Sequence, residues 1–267
     1  MKHILIIIMI IGLFLMCSCG NNKLVVGEAL ETLLNSDNYK GEFSVETKQT
    51  NANEVIESKG KAIIFHNPYR SKSVDVYNHP DDQGVISCTE YELEEGGITK
   101  LKFIYTYEDG STKETTTETV INGELLIRLI KDCLISEELV SEQVIDGTNV
   151  KKYKISVTAY PFGYFLRVPY GKNDYRTKIF MDEYKTCEGY VYINSETNYI
   201  QKIEFDLSDK MVMNKEIVEK VTTGTINDIL FTMPDYSKFI ITMQVFDINE
   251  KNKDTKDTEK EIDNIMK

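Results

Sequence analysis

The 267-residue sequence contains no tryptophan, only three histidines, five cysteines and five prolines, and just four arginines, Arg70, Arg128, Arg167 and Arg176. So few histidines leave histidine-based catalysis and histidine-rich metal sites short of candidates. His66 precedes Asn67-Pro68 and reads as a structural residue at a strand end, and His79 sits in the polar turn Asn78–Asp82. Cys88, Cys133 and Cys187 lack the close spacing of a zinc site. Cys133 falls on an apolar helical stripe as a buried thiol, while a Cys88–Cys187 disulfide is an alternative for the other two. Basic residues are outnumbered 31 to 43, for a net charge of −12. Such a chain cannot neutralise a phosphate backbone, so nucleic acid is excluded as a partner. Also lacking are a Gly-x-Ser-x-Gly elbow, a P-loop, Gly-x-Gly-x-x-Gly, His-Glu-x-x-His and a calcium loop. The expectation is a protein that is not an enzyme and uses no cofactor or metal.

What the chain does have begins at its first residues. After Met1-Lys2-His3, Ile4–Met16 is apolar for 13 residues, the length of a signal-peptide core and short of the ~20 that span a bilayer. Ser18-Cys19 follows, with apolar Met16 three positions before Cys19. The pattern resembles the bacterial lipobox, with Met for the common Leu and Cys17 for the common Ala. The resemblance implies cleavage after residue 18 and diacylglyceryl attachment to Cys19. The expected organisation is a leader over 1–18, a lipidated tether over 19–25, one domain over 26–248 and a charged tail over 249–267. The expected location is the extracytoplasmic face of the cell membrane, held by the lipid. Without Lys2 the mature chain has 30 basic and 43 acidic residues, a net −13 that an anionic membrane surface repels.

The body, in a chain that is 41% hydrophobic and 28% charged, can bury a sizeable core. Val26, Leu30, Leu33 and Leu34 make one stripe of a helix over Val26–Asn35. Leu125, Leu126, Leu129, Ile130, Cys133 and Leu134 make another over Gly123–Ile135. Between and after them the period is two. Strands are predicted over Tyr39–Val45, Val55–His66, Arg70–Tyr77, Val85–Leu93, Ile98–Tyr107, Ser111–Ile121, Val140–Ile145, Lys151–Thr158, Arg176–Met181, Gly189–Asn194, Tyr199–Leu207, Lys215–Asn227 and Phe239–Ile248. Turn clusters such as Glu94-Glu95-Gly96-Gly97 separate them. Tyr160–Tyr170 fits no single element. From Asn249 the chain reads as a solvated tail with one weak helix near Glu259–Met266.

Three segments carry a family resemblance: Gly189–Phe205, a strand ending in Ile-Asn, a polar turn and a Lys-Ile-Glu strand; Val144–Val157; and Ala62–Arg70 with its Asn67-Pro68-Tyr69-Arg70 break. Together they resemble the LolA/LppX-like lipoprotein family over most of Val26–Pro234. The resemblance implies an α+β fold, a curved, unclosed antiparallel half-barrel of about ten or more strands whose hollow is covered by two or more short helices. It implies an acylated or otherwise hydrophobic ligand in that hollow, as in a carrier or chaperone. A protein-binding or sensor module of the envelope is the alternative. The tail and Tyr160–Tyr170 depart from the pattern.

The cleanest alternations assign Phe43, Val45, Ile63, Phe65, Leu101, Phe103, Tyr105, Tyr153, Ile155, Val157, Ile203 and Phe205 to one face, as the wall of the hollow. Either they form the core with the two helices, or part of that face is left to hold a ligand. A buried 16-carbon chain contributes at most ~12 kcal/mol at ~0.8 kcal/mol per CH2, against an association cost of ~4–15 kcal/mol. Two chains are therefore the expected cargo, and a charge at Phe103 or Phe205 is expected to abolish uptake.

Overall fold

The computed structural model describes residues 24–50, 55–78, 84–119, 124–162, 184–211 and 236–266. Helix α1 (Val25–Leu34) leads into strands β1 (Asn38–Gln49), β2 (Ile56–Phe65), β3 (Arg70–Tyr77), β4 (Val85–Glu95), β5 (Ile98–Tyr107) and β6 (Thr112–Thr119). Helix α2 (Leu125–Asp132) follows, then β7 (Leu134–Ile145), β8 (Thr148–Thr158), β9 (Thr186–Asn194), β10 (Ile200–Asp206), β11 (Tyr236–Phe246) and helix α3 (Lys253–Ile265). The eleven strands form one antiparallel sheet in the order β6-β5-β4-β3-β2-β1-β11-β10-β9-β8-β7. β6 and β7 are its two edges, so the sheet is an unclosed half-barrel. The strands expected over Arg176–Met181 and Lys215–Asn227 lie outside the described residues.

Sequence order and space order agree within β1–β6 and within β7–β11, where each strand pairs antiparallel with the next. The Glu95–Ile98 connection turns at Gly96 and Gly97, both at positive φ, and Asp146-Gly147 does the same between β7 and β8. The exception is the centre, where β11 closes the sheet by pairing with β1, Val45 opposite Ile241 and Phe43 opposite Met243. The domain therefore depends on a long-range pairing between its two ends.

The inner face carries the main core. Under α1, Val26, Leu30 and Leu33 pack with Ile155, Val157, Val191, Ile203, Phe205 and Ile241. Phe205 lies across Gly189, where a Cβ would come within 2.5 Å of the ring, and Phe162 meets it edge-on at 4.6 Å. At α1's start, the Glu137 carboxylate accepts from both Val25 N–H and Val26 N–H at 2.7 Å, a cap supplied by strand β7. α2 is shorter than its apolar stripe: Cys133 is already its cap and Leu134 opens β7.

The expected solvated tail is corrected by α3. The Asn252 side chain accepts from Thr255 N–H and starts the helix. Its Ile262, 0% exposed, seats on the outer face against Phe65 and Tyr91. Ion pairs Arg70–Glu259 at 2.7 Å, Arg70–Asp263 at 2.8 Å and Lys72–Glu261 at 2.8 Å hold its flank. The helix is docked largely by charge, which a search for apolar periodicity does not register. The described cysteines are all free thiols, so the alternative Cys88–Cys187 disulfide is not made.

Candidate functional site

On β1 to β3 the inner face is built from small side chains. Register places Gly41 opposite Ala62, Phe43 opposite Gly60, and then Ala62 opposite Ser73 and Ile64 opposite Ser71. Small residues in adjacent strands leave a depression, and α2 lies over it. The result is a cavity of about 320 Å³ between Leu125, Leu126, Ile127 and Leu129 of the helix and Phe43, Ile64 and Met243 of the sheet. That volume is at the low end of ligand pockets, about 300–1,000 Å³. A space at that lower end suits one short apolar chain better than the two expected.

The third wall is acidic. Asp75 on β3 and Glu90 and Glu92 on β4 line the cavity with Ser71 and Ser73. Glu92 Oε2 accepts from Tyr69 Oη at 2.6 Å and Ser71 Oγ at 2.7 Å. Asp75 reaches across Gly60, where a Cβ would sit 2.1 Å from its Oδ1, so glycine there makes room for the carboxyl. Burial raises the Asp75 pKa to about 6. Burial, with the charges of Glu92 and Asp75, raises that of Glu90 to about 8. The neighbouring Cys88 thiol is pushed up to about 12, by burial first and then by these acids.

A second buried polar group closes one end. Glu124, 0% exposed just before α2, accepts from Tyr39 Oη at 2.9 Å, pairs with His66 Nε2 at 2.9 Å and receives Arg128 at 3.0 Å. His66 Nδ1 faces the Ser36 carbonyl. Burial opposes charge on His66, but the Glu124 hydrogen bond and charge outweigh it and the pKa rises. The Tyr39 pKa is raised well above its ordinary value, by burial and then Glu124. This network ties β1, the turn after β2 and α2 together, and so fixes the roof over the cavity.

Of the twelve residues assigned to the hollow, Phe43 lines it. Val45 shares that face and packs on the core. Leu101, Phe103 and Tyr105 continue the inner face on β5, opposite Glu92, Glu90 and Cys88, with the Phe103 and Tyr105 rings stacked at 6.0 Å. Tyr153, Ile155, Val157, Ile203 and Phe205 are buried in the closed core beneath α1. Phe205→Asp would thus report on folding rather than uptake. Ile63 and Phe65 are corrected to the outer face, under α3. Strand side chains alternate, so with Gly60 opposite Phe43 it is Ile64 that points inward. The residues missed are the small ones and the acids. Their signal is Gly60-x-Ala62, Ser71-x-Ser73 and Glu90-x-Glu92 at period two within strands. Cys19 lies outside the described residues.

No family model matches the chain, and no curated protein sequence does. Among solved structures it is similar to the lipoprotein LppX of Mycobacterium tuberculosis, at 13% identity and TM-score 0.43 over 87% of this chain and 98% of that one. It is also similar to LprF of Mycobacterium bovis, at 6% identity and TM-score 0.46 over 85% and 92%. A LolA-superfamily protein of Nitrosomonas europaea aligns at 9% identity and TM-score 0.25 over 85% and 92%.

Proposed function

We propose that the protein is an extracytoplasmic lipoprotein, anchored through Cys19, that binds a hydrophobic ligand in the hollow beneath α2 and performs no catalysis. The cavity carries this reading: an apolar roof and floor enclose space that the inner face of β1–β3 leaves open through its small side chains. A packed core would fill it, because interiors approach crystal density. The anchor reading rests on the 13-residue apolar leader and Ser18-Cys19. α1 begins at Val25, six residue steps after Cys19, so the body stays within ~20 Å of the headgroups at ~3.4 Å per residue.

Two measurements test it. A neutral apolar dye titrated into the chain from Gly20 onward, which retains every described residue, is expected to bind saturably. Ala62→Trp, which fills the cavity from its floor, is expected to remove that binding without unfolding the protein. Equal binding by a folded Ala62→Trp variant would reject the hollow as the site. For the anchor, Cys19→Ala is expected to abolish labelling by a fatty-acid analogue in cells.

One observation favours a protein-binding role instead. Edge strand β7 leaves Ile135, Leu139, Val140 and Val144 exposed, Val144 by 65%. An uncovered edge with apolar side chains is a template for strand addition by another chain. Loss of a captured partner on Val144→Lys, with dye binding intact, would support that role.

A further inference from the structure

The outer face of the sheet has a groove of its own, built from two rows that run across the strands. In one row Lys40 of β1 lies opposite Ile63 of β2, Ile63 opposite Lys72 of β3, Lys72 opposite Tyr91 of β4, and Tyr91 opposite Lys102 of β5. In the other, Asn38, Phe65, Arg70, Leu93 and Lys100 follow in the same strand order. Residues directly opposite one another share a face of the sheet. Basic side chains on β1, β3 and β5 therefore alternate with apolar ones on β2 and β4, Asn38 being the one neutral polar member. Such a face stands out on a chain of net charge −12.

α3 occupies this groove. Its Thr255, Thr258 and Ile262 make a buried stripe at i, i+3 and i+7. On one side of the stripe Asp254 pairs with Lys40 and Glu261 with Lys72, each at 2.8 Å, and Tyr91 Oη donates to Glu261 at 2.7 Å. On the other side Glu259 and Asp263 both reach Arg70. The hold is shallow. Ile262 is the one fully buried apolar side chain of the helix. The four acids are 37–66% exposed, and exposed pairs contribute little and are screened by salt. The fit is also incomplete. Asn38, only 4% exposed, has no hydrogen-bond partner for Oδ1 among the described residues, and Arg70 Nε has none either. Buried polar atoms in a finished interface are satisfied. Past the last turn of α3 a depression of about 440 Å³ lies open between Pro68, Leu93, Lys100 and Met266.

We propose that this groove is a docking site for an acidic amphipathic helix of another protein, and that α3 is a releasable strap that occupies it in cis. The rows set the chemistry of the guest: one apolar anchor against Phe65 and Tyr91, with carboxylates on both flanks. Lys100 and Lys102, which α3 leaves to Glu95 and Glu114, carry the basic rows beyond the strap. A neutral or basic helix would leave Arg70 and Lys72 without counter-charge. Strap and guest exclude each other, so the apparent affinity for a guest is reduced by the fraction of chains in which the groove is free. The hollow lies on the opposite face, and the proposal does not depend on it.

The probe is a fluorescent peptide with the sequence of residues 250–267, titrated by anisotropy into the chain from Gly20 onward. Ile262→Asp in the chain frees α3 and is expected to strengthen peptide binding about tenfold or more over the parent. The double variant Glu259→Lys, Asp263→Lys leaves the packed Ile262 in place and is expected to act in the same direction; circular dichroism checks both folds. Adding Arg70→Gln to either chain is expected to remove the gain, as is raising salt from about 0.05 M to about 0.5 M. A folded, released chain that binds the peptide no better than the parent would overturn the proposal. So would binding that survives Ile262→Asp in the peptide, or equal binding of a peptide whose Asp254, Glu259, Glu261 and Asp263 are replaced by their amides.

Discussion

Glu124 holds the roof, and its removal has a calculable effect. The carboxylate is wholly buried and serves Tyr39, His66 and Arg128. Arg128 is 45% exposed in its side chain and can turn to water. Tyr39 and His66 cannot, so Glu124→Ala orphans two buried groups at ~1–3 kcal/mol each. The sum agrees with the ~3–5 kcal/mol found when one partner of a buried ion pair is deleted. For a domain of this size, each kcal/mol shifts Tm by about 2–4 °C, so a fall of roughly 6–20 °C is expected in a thermal melt. The isosteric Glu124→Gln keeps an acceptor for Tyr39 and removes the charge, which isolates His66. The His66 pKa is raised in the folded protein. The stability due to its charged pairing is therefore complete below the unfolded value of about 6.5 and is lost as pH rises through the raised folded value. Asp75 and Glu90 titrate nearby, but they do so in both chains and cancel in the difference. The difference in Tm between the unmutated protein and Glu124→Gln should be largest near pH 5.5 and shrink above pH 7. A difference that is flat or grows with pH would refute the reasoning, as would a Tm for Glu124→Ala within 2 °C of the parent.

Ile262→Asp places a charge against Phe65 and Tyr91 and should free α3 from the sheet at a cost of about 2–5 kcal/mol. Proteolysis within Lys253–Ile265 should then outpace global unfolding, and unchanged protection would show the ion pairs alone suffice. Gly189→Ala drives a methyl to 2.5 Å from Phe205 and 2.7 Å from the Glu204 carbonyl, and overpacking of that kind costs about 1–3 kcal/mol in a urea titration. Cys88 and Cys187 are buried, with thiol pKa values pushed up to about 12, so a thiol reagent at pH 8 should modify them only on unfolding; rapid reaction in the native state would contradict the packing.

The strands were legible and the hollow was not, for one physical reason. Period-two alternation is local, and Arg70–Tyr77 and Ile98–Tyr107 are found where it places them. Which side of a strand faces inward is a property of the pairing. In Ala62-Ile63-Ile64-Phe65 both sides are apolar, so only the long-range partner Gly60–Phe43 decides, and it puts Ile64 in and Phe65 out. A search for apolar residues then finds the parts of the molecule that are filled. Ile155, Val157, Ile203 and Phe205 form the core because they are large, and the cavity opens where Gly41, Gly60, Ala62, Ser71 and Ser73 are small. On β3 and β4 the usual polarity of a sheet is reversed. Val74, Val76, Tyr91 and Leu93 are on the outer register, while Asp75, Glu90 and Glu92 are on the inner one. Read locally, those acids belong to a solvated face. Placed by register, they line a cavity beneath α2. Apolar burial on these strands is moved to the outer side, where Tyr91 packs with Phe65 and with Ile262 of α3, so the reversed polarity of β3 and β4 follows from α3 covering the face that a local reading leaves to solvent.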